Sequence, residues 1–296
     1  MAVTAVAAPR PVARAALAAL RPRQWTKNLL LFAGLLFADK LGDPSLWLDA
    51  CLAFVAYCAA SSASYLANDV RDAPHDREHP VKRLRPIASG ELSAARALAL
   101  AACLTAAALG GAALLGLGSL AFMAAFLALQ AAYSLRLKHV VLMDVLAIAA
   151  LFVVRAAAGA EAVAVRISPW LLICTGLLAL FLALAKRRAE LVLVGADETP
   201  GRPVLGGYSL ALVDQLVSVV AASTVIAYSL YTFDVRDSKA MMVTIPFVVY
   251  GVFRYLLLLH RHDLGEEPEN VLLTDVPLIL TLIAWVATCA VILMTT

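Results

Sequence analysis

The chain has 296 residues, 62% of them hydrophobic and 15% charged, with a formal net charge of +3 and a mean hydropathy of +0.86. A soluble domain of this length carries far more charge, so a water-soluble globular enzyme is excluded and lipid is the expected solvent for most of the chain. The five cysteines lie in or beside apolar runs with no metal-ligand spacing, which excludes a disulfide framework or a zinc module; no nucleic-acid partner is expected.

Residues 1–20 are rich in alanine and carry Arg10 and Arg14. They lack the leucine-rich stretch and cleavage site of a secretory signal. The expectation is a loosely ordered cytoplasmic tail, followed by a single catalytic domain over residues 21–296. Nine apolar spans follow, at roughly 26–38, 46–67, 94–114, 117–134, 140–160, 169–185, 209–232, 241–259 and 273–294. Each is read as a helix, because a chain in hydrocarbon must satisfy its own backbone hydrogen bonds. The fold class is therefore all-α, a polytopic bundle of nine transmembrane helices. The first span begins among polar residues and is expected to start near Arg23 as a partly interfacial helix.

Lysine and arginine set the expected orientation. Nineteen of the 24 fall in one alternating set of segments, which includes the N-terminus, and four in the other, with Arg155 inside a span. The positive-inside rule then places the N-terminus in the cytoplasm of a bacterial cell and the C-terminus outside its inner membrane. All five histidines fall on the same side, so any polar site is expected there.

Four segments on that side carry possible chemistry. The second span ends in Asn68-Asp69-Val70-Arg71-Asp72-Ala73-Pro74-His75-Asp76. Three aspartates at i, i+3 and i+7 share one helix face. Such a face suits a hard divalent cation such as Mg2+, whose natural partner is a diphosphate. Pro74 is expected to end or break the helix. Lys82, Arg83 and Arg85 follow, suited to the remaining phosphate oxygens. The second segment, Tyr133-Ser134-Leu135-Arg136-Leu137-Lys138-His139, reads equally well as an anchoring turn. The third, Lys186-Arg187-Arg188-Ala189-Glu190, lies directly after a span; Lys186 and Glu190 are i, i+4 neighbours, and three adjacent bases suit a phosphorylated ligand at a membrane surface. Arg202 and Tyr208 bracket the glycine-containing turn beyond it. The fourth, residues 260–275, is acidic and reads as a solvated loop. Within the fifth span, Arg155 is expected to face the bundle interior as a structural or lipid-phosphate partner, with Asp144 in a supporting role. Arg155 or the small-residue span 94–114 would also suit packing within or between subunits of a homo-oligomer.

Nine spans with Asn68-Asp69-x-x-Asp72-x-x-x-Asp76 at the end of the second resemble the UbiA superfamily of intramembrane prenyltransferases, over nearly the whole chain after residue 20. Members of that family usually carry a second Asp-rich motif after the sixth span. Here the corresponding place holds the basic Lys186–Glu190 stretch. That departure, with Arg21-Pro22-Arg23-Gln24-Trp25-Thr26-Lys27-Asn28 at the first span, is similar to one branch, the decaprenyl-phosphate phosphoribosyltransferases.

The resemblance implies a reaction: phosphoribosyl pyrophosphate donates 5-phosphoribose to a polyprenyl (decaprenyl) phosphate held in membrane lipid, and diphosphate leaves. It implies roles as well. Asp69, Asp72 and Asp76 would hold Mg2+, with Asn68 as ligand or orienter. Lys82 and Arg85 would bind donor phosphates, and Tyr133 and Lys138 the diphosphate. Lys186 and Arg187, with Glu190 directing Lys186 and Arg202 nearby, would hold a phosphate, and Gln24 and Lys27 would lie near the lipid phosphate. Two alternatives stay open: a prenyltransferase with a prenyl diphosphate donor and an aromatic acceptor, and a lipid-phosphate transporter.

Overall fold

The computed structural model describes residues 11–36, 42–79, 81–166, 168–194, 203–234, 239–261 and 274–295. Among them there is no strand. Ten α-helices occur in chain order: α1 (Val12–Leu20), α2 (Ala33–Leu36), α3 (Pro44–Glu78), α4 (Ala94–Leu114), α5 (Leu117–Leu135), α6 (Met143–Ala162), α7 (Pro169–Val194), α8 (Leu210–Asp234), α9 (Ile245–Arg261) and α10 (Val276–Thr295). Seven helical segments, α3 to α9, are long and apolar enough to cross a membrane, and Val276–Ile292 is a shorter apolar helix. The protein is an integral membrane protein.

The first expected span is a run of 3-10 helix, Pro22–Phe32, continued by α2. Eleven residues of 3-10 geometry is long for that conformation. The run is fixed from outside: Trp25 Nε1 donates to Ser62 Oγ at 3.0 Å, Ser62 Oγ donates to the Leu20 carbonyl at 2.9 Å, and the buried Asn28 amide donates to Cys58 Sγ at 3.3 Å. Residues 12–20 correct the expectation of a loose tail. They form α1, with Ala15 and Ala19 buried, because alanine has the strongest intrinsic helix preference and its small side chain lets this helix pack closely.

Helix α3 corrects a second expectation. It runs 35 residues and keeps Pro74 inside it. Proline removes one N–H and its bond to residue i−4; here that loss falls in the last turns, outside the apolar stretch, where Val70 is the only acceptor affected. At 1.5 Å per residue α3 is about 52 Å long, against about 30 Å for a hydrocarbon core. The excess is long enough for one unbroken helix to hold the aspartates beyond the hydrocarbon. Likewise α7 does not stop at residue 185; it continues to Val194, so Lys186 to Glu190 are helical.

The chain divides into two compact units: residues 1–29 with 51–131, and residues 30–50 with 132–296. In the first, Ala19, Leu66, Ala73, Ile87, Leu92, Ala97 and Ala101 share one apolar core. Alanines at these contacts let helix backbones approach closely, which is how helices pack when lipid removes the hydrophobic driving force. Ser93 caps α4 by accepting the Arg96 N–H at 3.4 Å.

In the second unit α6 is the most enclosed helix, with Ala147, Ala149, Ala156 to Ala158 and Gly159 among its buried residues. A Cβ on Gly159 would lie 2.1 Å from the Leu31 carbonyl oxygen, and one on Gly34 2.7 Å from the Ala160 Cα. Both neighbours are backbone and cannot swing aside. Gly159→Ala should therefore lower the heat-denaturation midpoint in detergent and the yield of monodisperse protein, while Gly110→Ala, where nothing lies within 4 Å, should change neither.

Candidate functional site

The acidic face of α3 is assembled within the first unit. Asp69 and Asp76 are buried, 3% and 4% exposed, and Asp72 is half-buried. Arg85 Nη1 lies 2.7 Å from Asp76 Oδ2 and 3.3 Å from Asp69 Oδ1. Arg21 Nη2 lies 2.6 and 2.7 Å from the two oxygens of Asp69, with its guanidinium over the Tyr65 ring at 5.0 Å. Asn68 Nδ2 donates to Asp72 Oδ2 at 2.9 Å.

Buried carboxylates need a compensating charge, and two arginines supply it. A single cationic nitrogen of Arg85 reaches both Asp69 and Asp76, so these carboxylates converge on a point where positive charge is stable. That arrangement fits a hard cation. Among the described residues no three acidic, histidine or cysteine side chains form a ready-made metal cage. Mg2+ characteristically takes one or two carboxylates and completes its shell with water and substrate phosphate, so the site fits a metal–diphosphate better than a bare ion.

Arg85 is placed by the chain that follows α3. Lys82–Leu84 form a 3-10 turn, and the Arg85 N–H donates to the Lys82 carbonyl at 2.9 Å. His79 Nδ1 accepts the N–H groups of Val81 and Lys82 at 3.2 and 3.3 Å, which requires that nitrogen to be unprotonated. Partial burial and the nearby Lys82 and Arg85 hold the His79 pKa below its ordinary value, against the opposing pull of Asp76. Arg77 Nε donates to the Ala88 carbonyl at 3.3 Å, tying the loop to α3. Lys82, Gln24 and Lys27 are partly exposed in this unit.

The second unit places the other candidates. Arg187 is not presented to a ligand, contrary to expectation. Its side chain is 0% exposed, its Nε lies 2.6 Å from Asp144 Oδ2, and its Nη1 pairs with Glu190. Its Nη2 is buried with no hydrogen-bond partner among the described residues. The physical reason is helical: successive residues on α7 turn by about 100°, so adjacent bases cannot all face one way. Arg188 points into the protein as well, donating to Asp214 Oδ1 at 2.7 Å and to the Leu259 carbonyl at 3.1 Å, which ties α7 to α8 and α9. Lys186 is partly exposed, as are Tyr133 and Lys138, and Tyr133 interacts electrostatically with Arg187.

Asp144, a supporting candidate from sequence, proves to be the hub of this unit. It is 0% exposed and accepts from Arg187 and from the Tyr208 hydroxyl, the latter at 2.6 Å. The same hydroxyl accepts the Leu142 N–H at 2.7 Å. Leu142 has a φ of 67°, uncommon outside glycine, and the Tyr208 hydroxyl satisfies its N–H there. Burial and the Asp144 hydrogen bond push the Tyr208 pKa up to about 12. The folded chain therefore keeps this proton more tightly than an unfolded tyrosine does. The contribution is complete below about pH 10 and declines as pH rises towards 12.

Arg202 and most of the acidic loop, Asp263 to Glu269, lie outside the described residues. Of that loop Asp275 is described: Arg254 Nη2 lies 2.8 Å from its Oδ2, and these hydrogen bonds hold its carboxyl below the usual range. Arg155 is buried on α6, 4% exposed, with its guanidinium 5.3 Å from the Phe152 ring. Sequence reasoning misses Arg21 as a partner of the acidic face and Tyr208 as a partner of Asp144. Arg21 carries a signal, since it opens a polar stretch beside an otherwise apolar chain.

Known proteins match this architecture. The model of the UbiA prenyltransferase family matches residues 28–280. A decaprenyl-phosphate phosphoribosyltransferase of Corynebacterium glutamicum is 33% identical over 94% of this chain and 86% of its own length. One from Mycolicibacterium smegmatis is 34% identical over 95% and 92%. A UbiA homolog from Archaeoglobus fulgidus, solved bound to GPP and Mg2+, superposes with a TM-score of 0.73 at 20% identity, covering 95% of this chain and 100% of that one; that likeness shows the fold. With most of its length matched by the family model and by relatives above 30% identity, the chain belongs to the UbiA prenyltransferase family.

Proposed function

We propose that this protein transfers 5-phosphoribose from phosphoribosyl pyrophosphate to a polyprenyl phosphate, decaprenyl phosphate being the expected acceptor, and releases diphosphate. The observation that carries the reading is the match to relatives named for this activity, above 30% identity and across at least 86% of their length. The basic composition of the α7 end agrees with it, since Lys186, Arg187 and Arg188 stand where prenyl-diphosphate users of the family carry acid.

In this reaction a phosphate oxygen of the lipid attacks C1 of the ribose. The C1–O bond to the diphosphate breaks, and its electron pair leaves with the diphosphate. The acceptor is already an anion, so no strong base is needed and positioning dominates. Asp69, Asp72 and Asp76 would hold Mg2+, which when bound supplies charge neutralisation for the departing diphosphate. Asn68 keeps Asp72 aimed. Arg85 and Lys82 contribute cationic groups for phosphate oxygens, and the Gln24 amide and the Lys27 ammonium do the same work as hydrogen-bond donors for the lipid phosphate. In the second unit Lys186, Tyr133 and Lys138 are partly exposed polar groups suited to an anionic ligand. Arg187 serves instead to hold α6 and α7 together through Asp144, with Glu190 as its second carboxylate partner. The membrane is taken to be the bacterial inner membrane, with the N-terminus and the acidic face of α3 in the cytoplasm, as the Lys and Arg distribution implies.

Membranes containing the protein, supplied with polyprenyl phosphate and phosphoribosyl pyrophosphate labelled in the ribose, should move the label into the lipid fraction in a Mg2+-dependent way. Labelled prenyl diphosphate with an aromatic acceptor should give no product. The reverse pattern would replace this reading with aromatic prenyl transfer, and label crossing sealed vesicles without a new bond would replace it with transport.

A further inference from the structure

Arg21 is absent from every role assigned above, yet it makes the densest contact with the acidic face. It follows the last residue of α1 in a left-handed conformation, φ 55° and ψ 60°, which side chains other than glycine seldom adopt. Its backbone N–H donates to the Ala18 carbonyl at 3.2 Å, and its guanidinium stacks over Tyr65 at 5.0 Å. From there one nitrogen meets both oxygens of Asp69, at 2.6 and 2.7 Å. Arg85 takes a third contact to Asp69 at 3.3 Å. Asp69 is 3% exposed, so these arginines account for its charge balance.

A carboxylate oxygen facing a guanidinium nitrogen at 2.6 Å is not open to a cation on the same side. We propose that Arg21 is a built-in counterion that competes with the divalent cation for Asp69, so that occupying the metal site draws Arg21 away from the acidic face. The inference rests on the reading of Asp69, Asp72 and Asp76 as metal-holding groups. It has two consequences: the carboxylates stay neutralised between turnovers, and a bare cation binds weakly. Tight binding then requires a diphosphate, whose negative charge can receive the displaced guanidinium.

The test uses Mn2+ as a paramagnetic stand-in for Mg2+, titrated into the detergent-solubilised full chain with free Mn2+ read by electron paramagnetic resonance. Arg21→Gln should bind Mn2+ roughly three- to tenfold more tightly than the parent, and its cation-free form should denature at a lower temperature. Arg21→Lys keeps a charge but loses the planar fork, and should fall between the two; it carries the test if the glutamine variant does not fold. Asp69→Asn should lose most of the binding. If Asp69→Asn weakens binding while both Arg21 variants bind as the parent does or more weakly, the competition is overturned and the metal reading stands. If the parent shows no Mn2+ binding with or without diphosphate, or Asp69→Asn binds as the parent does, the metal reading falls and the competition with it.

Discussion

Asp72→Ala should cut phosphoribosyl transfer on the order of 10²–10³-fold, as expected when one group stabilising developing charge is lost, and should leave the protein folded. The choice among three aspartates matters. Asp69 and Asp76 are the buried anchors of Arg21 and Arg85, so removing either strands a guanidinium and disturbs the loop after α3. Asp72 is half-buried and accepts from the Asn68 amide. Its removal leaves every arginine contact of Asp69 and Asp76 in place. The heat-denaturation midpoint should therefore move by little, while the Mg2+ concentration needed for half-maximal activity rises. Asn68→Ala should reproduce a weaker version of the same effect, because the carboxylate remains and only its direction is lost. Full Mg2+-dependent turnover in Asp72→Ala would remove this residue from the machinery.

Much of this arrangement is legible in the amino-acid sequence. The long spans show in hydropathy because lipid leaves the backbone no choice but to bond within its own segment. The aspartate spacing shows because i, i+3 and i+7 mark one helix face whatever surrounds it. Pairing at a distance is not legible. Arg21 meets Asp69 across 48 positions, and Arg187 meets Asp144 across 43. Each of these charges can be noticed singly in the sequence, but nothing in the sequence says which carboxylate each arginine meets. Helix ends mislead for a related reason. Pro74 and the Lys186–Arg188 stretch both look like stop signals by local preference, yet α3 and α7 continue, and their later residues find partners: Asp76 beyond the proline in an ion pair with Arg85, Arg187 and Arg188 in ion pairs as well. Three consecutive bases read as a ligand-facing patch when their direction is unknown; on a helix two of the three turn inward.

Arg187→Met should be the most damaging single change in the second unit, costing about 3–5 kcal/mol, the range for breaking a buried ion pair from one side. The substitution keeps the volume of the side chain roughly intact, so packing is not the source of the loss. It leaves Asp144, 0% exposed, with the Tyr208 hydroxyl as its remaining donor, and Glu190 without its guanidinium. Asp144 is then a buried charge without its counterion, and the loss of that contact loosens α6 against α7. Loss of monodisperse protein and a lower denaturation midpoint would register this. Asp144→Asn should cost less, because Arg187 retains Glu190 and the amide oxygen can still accept from Tyr208. Tyr208→Phe should cost least of the three but should leave the Leu142 N–H, in its left-handed backbone, without its acceptor. The double variant Asp144→Leu with Arg187→Met separates two explanations. Where charge burial is the cause, replacing both partners by apolar groups recovers most of the stability lost by Arg187→Met alone. Were the double variant as unstable as the single one, the pair would be holding geometry that apolar packing cannot replace, and Lys186, one residue away on α7, would be displaced with it. Measuring KM for both the ribose donor and the lipid phosphate in the double variant distinguishes these cases, since only the second moves Lys186, proposed to hold a phosphate of one of them.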